Sequence, residues 1–218
     1  ASLDTQKKAL TEPTMAKLKH ASLEALKNKK TVSTASQNIN ATISKDIVFQ
    51  TYNDVWKNFD QVNTRISWNE KDNSLTIYWH DWLYNCAMEF RTWQERFDFR
   101  FCVEKYISWN DKAVEKAVTI EKDIGDFKFR GWWQLKNEDT WKNCVDKGVA
   151  SFFSQNPTRH QLVLKFPKLI AYQSDIKFDA FYIDYDQAKR LREVLTDEYI
   201  SQALAKTHNQ KAIESEFK

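Results

Sequence analysis

The chain predicts an α+β fold: an antiparallel sheet, built on a four-stranded meander at about residues 64–106 with later strands added, and covered by several helices. Three observations carry this expectation. Apolar residues alternate with a period of two through residues 64–106, as half-buried strands require. Spacing of three and four appears on both sides of that stretch, the mark of amphipathic helices. Only three Gly and three Pro occur in 218 residues, so tight left-handed turns are scarce and the Gly-rich phosphate loops of nucleotide-binding folds are absent.

The elements follow in order. Residues 11–29 read as a helix entered at Pro13, with Met15, Leu18 and Ala25 on one face. A Ser/Thr/Asn-rich stretch, "KTVSTASQNINATIS", then reads as a linker. Residues 1–45 thus form a basic arm and linker, and residues 46–218 form a single globular domain. In "DIVFQTYNDVWKNF", Phe49, Tyr52, Trp56 and Phe59 have helical spacing. "RISWNEKDNSLTIYW" is the clearest hairpin, with Ile66, Trp68, Leu75, Ile77 and Trp79 inward around a polar turn. Trp82, Tyr84, Cys86, Met88 and Phe90 alternate, as do Phe97, Phe99, Phe101 and Val103; a bulge or corner at His80–Asp81 accounts for the change of parity. Helices are expected at 111–122 and 140–153, with a short strand "DFKFRGWWQLK" between them. Strands follow at about 161–172 and 176–183, then a long helix from Asp184. The two segments "ISWNEK" (66–71) and "ISWNDK" (107–112) are not a repeat. Their surroundings differ in period, the first entering a hairpin turn and the second leaving a strand for a helix.

Composition limits the function classes. Hydrophobic residues are 42% and charged residues 29%, which suits a packed core. Nine Trp, eight Tyr and fourteen Phe make large rings the main source of contact energy. Net charge is +3, with eight Lys in residues 1–45 against Asp4, Glu12 and Glu24, so the arm is basic and the body slightly acidic. The arm suits an anionic surface or an acidic partner, while the body argues against nucleic acid. No apolar run reaches the length of a membrane span. The start at Ala1 fits signal-peptide removal, truncation after an anchor or a cloning scar. The expected setting is extracytoplasmic (periplasmic, membrane-tethered or secreted), with the cytoplasm as the alternative.

Catalytic signatures are sparse. Cys86, Cys102 and Cys144 form no CxxC and have no His at zinc spacing, so no metal site and no cofactor are expected. Cys86 and Cys102 flank a presumed turn, but strand parity sets them on opposite faces and argues against a disulfide. The weak catalytic alternative joins His80 to the acidic run Asp175–Asp186, with Asp184 and Asp186 as a carboxylate pair for a divalent cation. Asp184 reads equally as the cap of the last helix, with Gln187 three residues on. The stronger signal is Trp out of phase with the core. In "DFKFRGWWQLK" the inward set is Phe127, Phe129, Trp133 and Leu135, which leaves Lys128, Arg130, Trp132, Gln134 and Lys136 outward. Trp93 shares a parity with Glu89 and Arg91 and repeats the pattern. Trp beside Arg and Lys is the composition of binding hot spots. The expected binding set is therefore Trp132, Arg130, Lys128, Lys136, Trp93 and Arg91.

Together these features point to a non-enzymatic protein-binding module (adaptor, chaperone or assembly factor) of the bacterial envelope or an exported complex. The alternatives are a carboxylate- or metal-dependent hydrolase and a carbohydrate-binding module that uses exposed Trp.

Overall fold

The structure, a computed structural model, describes residues 40–53, 55–172 and 174–217. The helix expected at 11–29 lies outside them. Among the described residues, eleven strands and three helices come in the order β1 (Asn40–Ser44), β2 (Val48–Asn53), β3 (Asn58–Asn69), β4 (Ser74–His80), β5 (Tyr84–Phe90), α1 (Trp93–Glu115), β6 (Glu121–Leu135), β7 (Lys142–Asn156), β8 (Arg159–Lys165), β9 (Lys168–Ala171), β10 (Ser174–Lys177), β11 (Phe181–Ile183), α2 (Tyr185–Val194) and α3 (Asp197–Glu216).

The main sheet closes on itself. Neighbours run β3-β2-β11-β8-β7-β6-β5-β4, and β4 pairs again with β3, which makes an eight-stranded antiparallel barrel. β1 continues the line of β2 along the same edge of β3, from Asn40 opposite Asn69 to Ser44 opposite Ile66. The helix-covered open sheet is therefore corrected to a closed barrel with three helices. Closure removes the sheet edges that an open sheet leaves unpaired.

Several expected elements change with it. The stretch at 97–106 is not a fourth meander strand but the middle of α1, which also contains the second "ISWN" segment. The helix expected at 140–153 is β7, and the one expected at 46–59 is β2, a turn and the start of β3. The last helix is two, divided at Leu195–Thr196, where the Thr196 hydroxyl caps α3 through Tyr199 N–H. The 64–90 hairpins and the outward parity of β6 stand as read: Ile66 pairs with Ile77, and Ile77 with Met88.

Large rings fill the barrel. Phe49, Trp79, Phe129, Trp133 and Phe181 are buried inside it, as eight strands leave an interior wide enough for side chains and little more. α1 closes the lower mouth. Phe99 stacks on Phe90 at 4.7 Å and meets Phe127 at 5.1 Å, while the Tyr106 hydroxyl donates to the His160 carbonyl at 2.8 Å. The helix starts on a reciprocal cap, Thr92 accepting from Glu95 N–H and Glu95 from Thr92 N–H. The β9–β10 hairpin and the segment after it cover the upper mouth. Leu169, Ile176 and Phe178 are buried, Phe178 meets Trp79 edge-on at 4.8 Å, and Trp133 Nε1–H donates to Ser174 Oγ at 3.0 Å. Gly131 makes this approach possible, because a Cβ there would collide with Leu169.

Cys86 on β5 and Cys102 on α1 are buried free thiols, and Cys144 on β7 is also free. The strand-parity argument about the first pair lapses, since Cys102 is helical. Burial pushes the Cys102 thiol up to about 12, and that of Cys86 further. No helix among the described residues is long and apolar enough to cross a membrane.

Candidate functional site

Alternation along β3–β6 sets one residue set inside the barrel and the other on its outer wall. Two cross-strand rows cross that wall. Ser67, Thr76, Glu89 and Arg130 are successive partners, as are Tyr78, Ala87 and Trp132. All of these except Arg130 line a cleft of about 310 Å³ that also takes in Asn40, Asn69, Asp72, Ser74, Arg91 and Trp141.

Glu89 organises the cleft. Its side chain is 8% exposed, a costly place for a carboxylate unless it is paired and hydrogen-bonded. Its Oε2 accepts from Trp132 Nε1–H at 2.9 Å and from Arg91 Nε–H at 2.9 Å. Arg130 Nε lies 3.9 Å away, and Arg130 Nη1 donates to Asn143 Oδ1 at 2.7 Å. Three of the residues expected to bind a partner, Trp132, Arg130 and Arg91, thus converge on one carboxylate. The polar edge of Trp132 is committed within the molecule, and its ring becomes a wall of the cleft.

The other three lie apart. Lys128 is exposed on the same face of β6, opposite Lys147. Lys136 is at the upper mouth, where Nζ donates to the Trp82 carbonyl at 2.9 Å. Trp93 opens α1 and is 38% exposed. There it begins a ridge that strand parity hid. Trp93 stacks on Phe97 at 4.9 Å and 19°, and Phe97 on Phe101 at 6.4 Å and 21°. Four-residue spacing continues the ridge to Lys105 and Trp109, with Lys105 Nζ 5.0 Å from the Trp109 ring.

The residues of the catalytic alternative do not assemble. His80 ends β4 at the upper mouth, exposed, with Nδ1 2.9 Å from Asn85 Oδ1. Asp184 and Asp186 follow β11 at the lower mouth. Asp184 caps α2 by accepting from Gln187 N–H at 2.9 Å, while Gln187 Oε1 accepts instead from Val48 N–H at 2.9 Å. Asp186 pairs with Lys189 at 2.8 Å, and Asp175 with Lys168 at 2.6 Å. Asp179 is held above the usual carboxylate range, chiefly by burial and then by Asp81. An open depression of about 610 Å³ does collect Asp111, Glu115, Asp184, Asp186, Tyr185 and His160. Tyr185 donates to Asp111 at 2.7 Å and His160 Nδ1 lies 2.7 Å from Ser154 Oγ, while His160 Nε2 is buried without a hydrogen-bond partner among the described residues. Among the described residues no group of three His, Cys, Asp or Glu side chains is placed to hold a metal ion.

Sequence reasoning missed Glu89 as the hub and Tyr78 and Ala87 as cleft residues. The parity that set Glu89 beside Arg91 was visible; the strand pairing that sets it beside Trp132 was not. No protein-family model matches this chain, and no curated protein or solved structure matches it either.

Proposed function

We propose that this chain is a non-enzymatic protein-binding module, an adaptor, chaperone or assembly factor, and that α1 presents its contact ridge. The observation that supports this reading most is the stacked series Trp93–Phe97–Phe101. Its first two rings are 38% and 37% exposed on the solvent side of a helix whose other side caps the barrel. Stacked rings on a well-seated helix lose little conformational freedom on binding and bring a large apolar area, the qualities of an interface hot spot. Arg100, paired with Glu104 at 2.8 Å, flanks the ridge with charge that orients an encounter. The Lys-rich segment before residue 46 supports a setting beside an anionic surface, in the bacterial envelope or an exported complex.

Affinity purification from the source cells tests this, with Trp93→Ala and Phe97→Ala as separate baits. Each substitution is expected to weaken a captured partner by about 2 kcal/mol, roughly thirty-fold in Kd, with the far-UV melt unchanged. Tyr172→Ala, at an exposed tip of the upper mouth, serves as the control. Identical capture by all baits would exclude the ridge.

A further inference from the structure

We infer that the outer-wall cleft between Tyr78 and Trp132 is a binding site for a neutral saccharide unit. It is independent of the ridge on α1 and of the partner proposed for it.

The shape comes from one small residue. Tyr78, Ala87 and Trp132 are consecutive partners on β4, β5 and β6. Neighbouring strands lie about 4.8 Å apart, so the two ring-bearing backbones stand about 10 Å apart with only a methyl group between them. That leaves a slot with an aromatic wall on each side. Both walls are braced. The Arg65 guanidinium, from the strand on the far side, lies 4.7 Å from the Tyr78 ring centre, and the Trp132 N–H is tied to Glu89. Trp141 adds a third ring to the lining.

The chemistry comes from the floor. Ser67, Ser74 and Thr76 line the cleft and are each at most 9% exposed. They stand on the outward parity of β3 and β4, between residues that point into the barrel. None of their hydroxyls makes a side-chain hydrogen bond with another described residue. None of the three is among the sealed, unpartnered polar atoms of the described residues, so at the cleft their hydroxyls offer a ligand several donors and acceptors. The Asn40 and Asn69 amides and the Asp72 carboxylate stand at the same cleft.

Charge narrows the ligand class. The cationic side chain in the lining, Arg91, is already paired with Glu89, and Arg130 adds a second cation to that carboxylate. The two cations are balanced by Glu89 and Asp72, so the cleft carries no net charge to favour a phosphate or carboxylate ligand. A sugar ring has the complementary character: apolar C–H faces for the aromatic walls and hydroxyl edges for the floor. A cleft of about 310 Å³ is at the small end for a ligand site, which suits a short saccharide rather than a large cofactor.

A glycan array probed with the full chain, followed by Trp-fluorescence titration of the best neutral hit, tests the inference. At least one neutral saccharide should bind saturably, with an affinity insensitive to salt. Ala87→Leu, which fills the slot, should weaken it by at least about tenfold. Trp132→Phe keeps a ring but removes the N–H and serves as a second variant should Ala87→Leu fail to fold; it should weaken binding less than Trp132→Ala does. Trp93→Ala should leave saccharide binding unchanged, which separates this site from the ridge. A blank array, AMP binding more tightly than any neutral glycan, or a hit indifferent to both Ala87→Leu and Trp132→Ala would each overturn it.

Discussion

His160 shows how one residue ties local environment to stability. It is 3% exposed, its ring packs 5.2 Å from Phe152, and its backbone carbonyl receives the Tyr106 hydroxyl of α1. Burial lowers its pKa from the ordinary 6.5, partly offset by the Pro157 carbonyl. The unfolded chain therefore takes up a proton at a pH where the native barrel still refuses it. The stability that neutral His160 allows is complete above 6.5 and is lost as pH falls from there through the lower native value. His160→Gln removes the titration but keeps a polar group. Between about pH 7 and pH 5, the melting temperature of the wild type is expected to fall more steeply than that of the variant, and parallel curves would show that His160 takes no part. At this scale much was legible. Parity alone set Trp132 and Arg130 outward and Phe127, Phe129 and Trp133 inward, as they are. Parity said nothing of what Trp132 touches, because Glu89 reaches it across a strand pairing 43 residues apart in sequence.

Elements were legible wherever only one of their faces is apolar. The 64–90 hairpins alternate cleanly because their outer wall carries Ser67, Ser74 and Thr76. α1 carries large apolar side chains on two faces, Phe99, Val103 and Tyr106 toward the barrel and Trp93, Phe97 and Phe101 toward solvent. Interleaved, these two stripes imitate the alternation 97, 99, 101, 103 of a strand. β7 makes the opposite error possible. Trp141 just before it, Val145 and Val149 lie on the outer wall and Phe152 lies inside, and spacings of four, four and three imitate a helix. The scarcity of glycine also shapes the elements. Lys57, Asn73 and Ala117 hold left-handed φ near +50°, where a β-carbon costs about 1–2 kcal/mol. Ala117 follows the last turn of α1, its N–H bonded to the Val114 carbonyl, and its side chain is exposed. Glycine is the residue that position favours. Ala117→Gly is expected to stabilise the protein by about 1 kcal/mol in urea denaturation; a loss of stability would show that backbone freedom in the unfolded chain outweighs the relief of strain.

At the scale of the whole molecule, the closed barrel depends on a contact that no local pattern announces. β2 and β8 do not pair with each other. Both pair with β11, three residues long, which joins Thr51 to Phe181 and Phe181 to Leu164. Closing a ring through such a seam brings together segments from both ends of the described chain, and that pairing was invisible in the sequence because its two sides have no periodic relation to each other. The seam is held by packing as much as by its few ladder bonds. The Phe181 ring lies 5.0 Å from Phe49, 5.1 Å from Trp79 and 5.6 Å from Phe166, contacts that reach β2, β4 and the end of β8 at once. Phe181→Ala should therefore cost about 3–5 kcal/mol, the range for removing a fully buried ring. Ile213→Ala, on the exposed outer part of α3, should cost less than about 0.5 kcal/mol. Because the seam joins both halves of the ring, its loss should weaken the whole barrel together. Tryptophan fluorescence and far-UV circular dichroism should report one shared, lowered urea midpoint for Phe181→Ala. If the two signals separate, with β4–β7 outlasting the rest, the barrel is an open sheet of independent stability to which the β2–β11 seam is only appended.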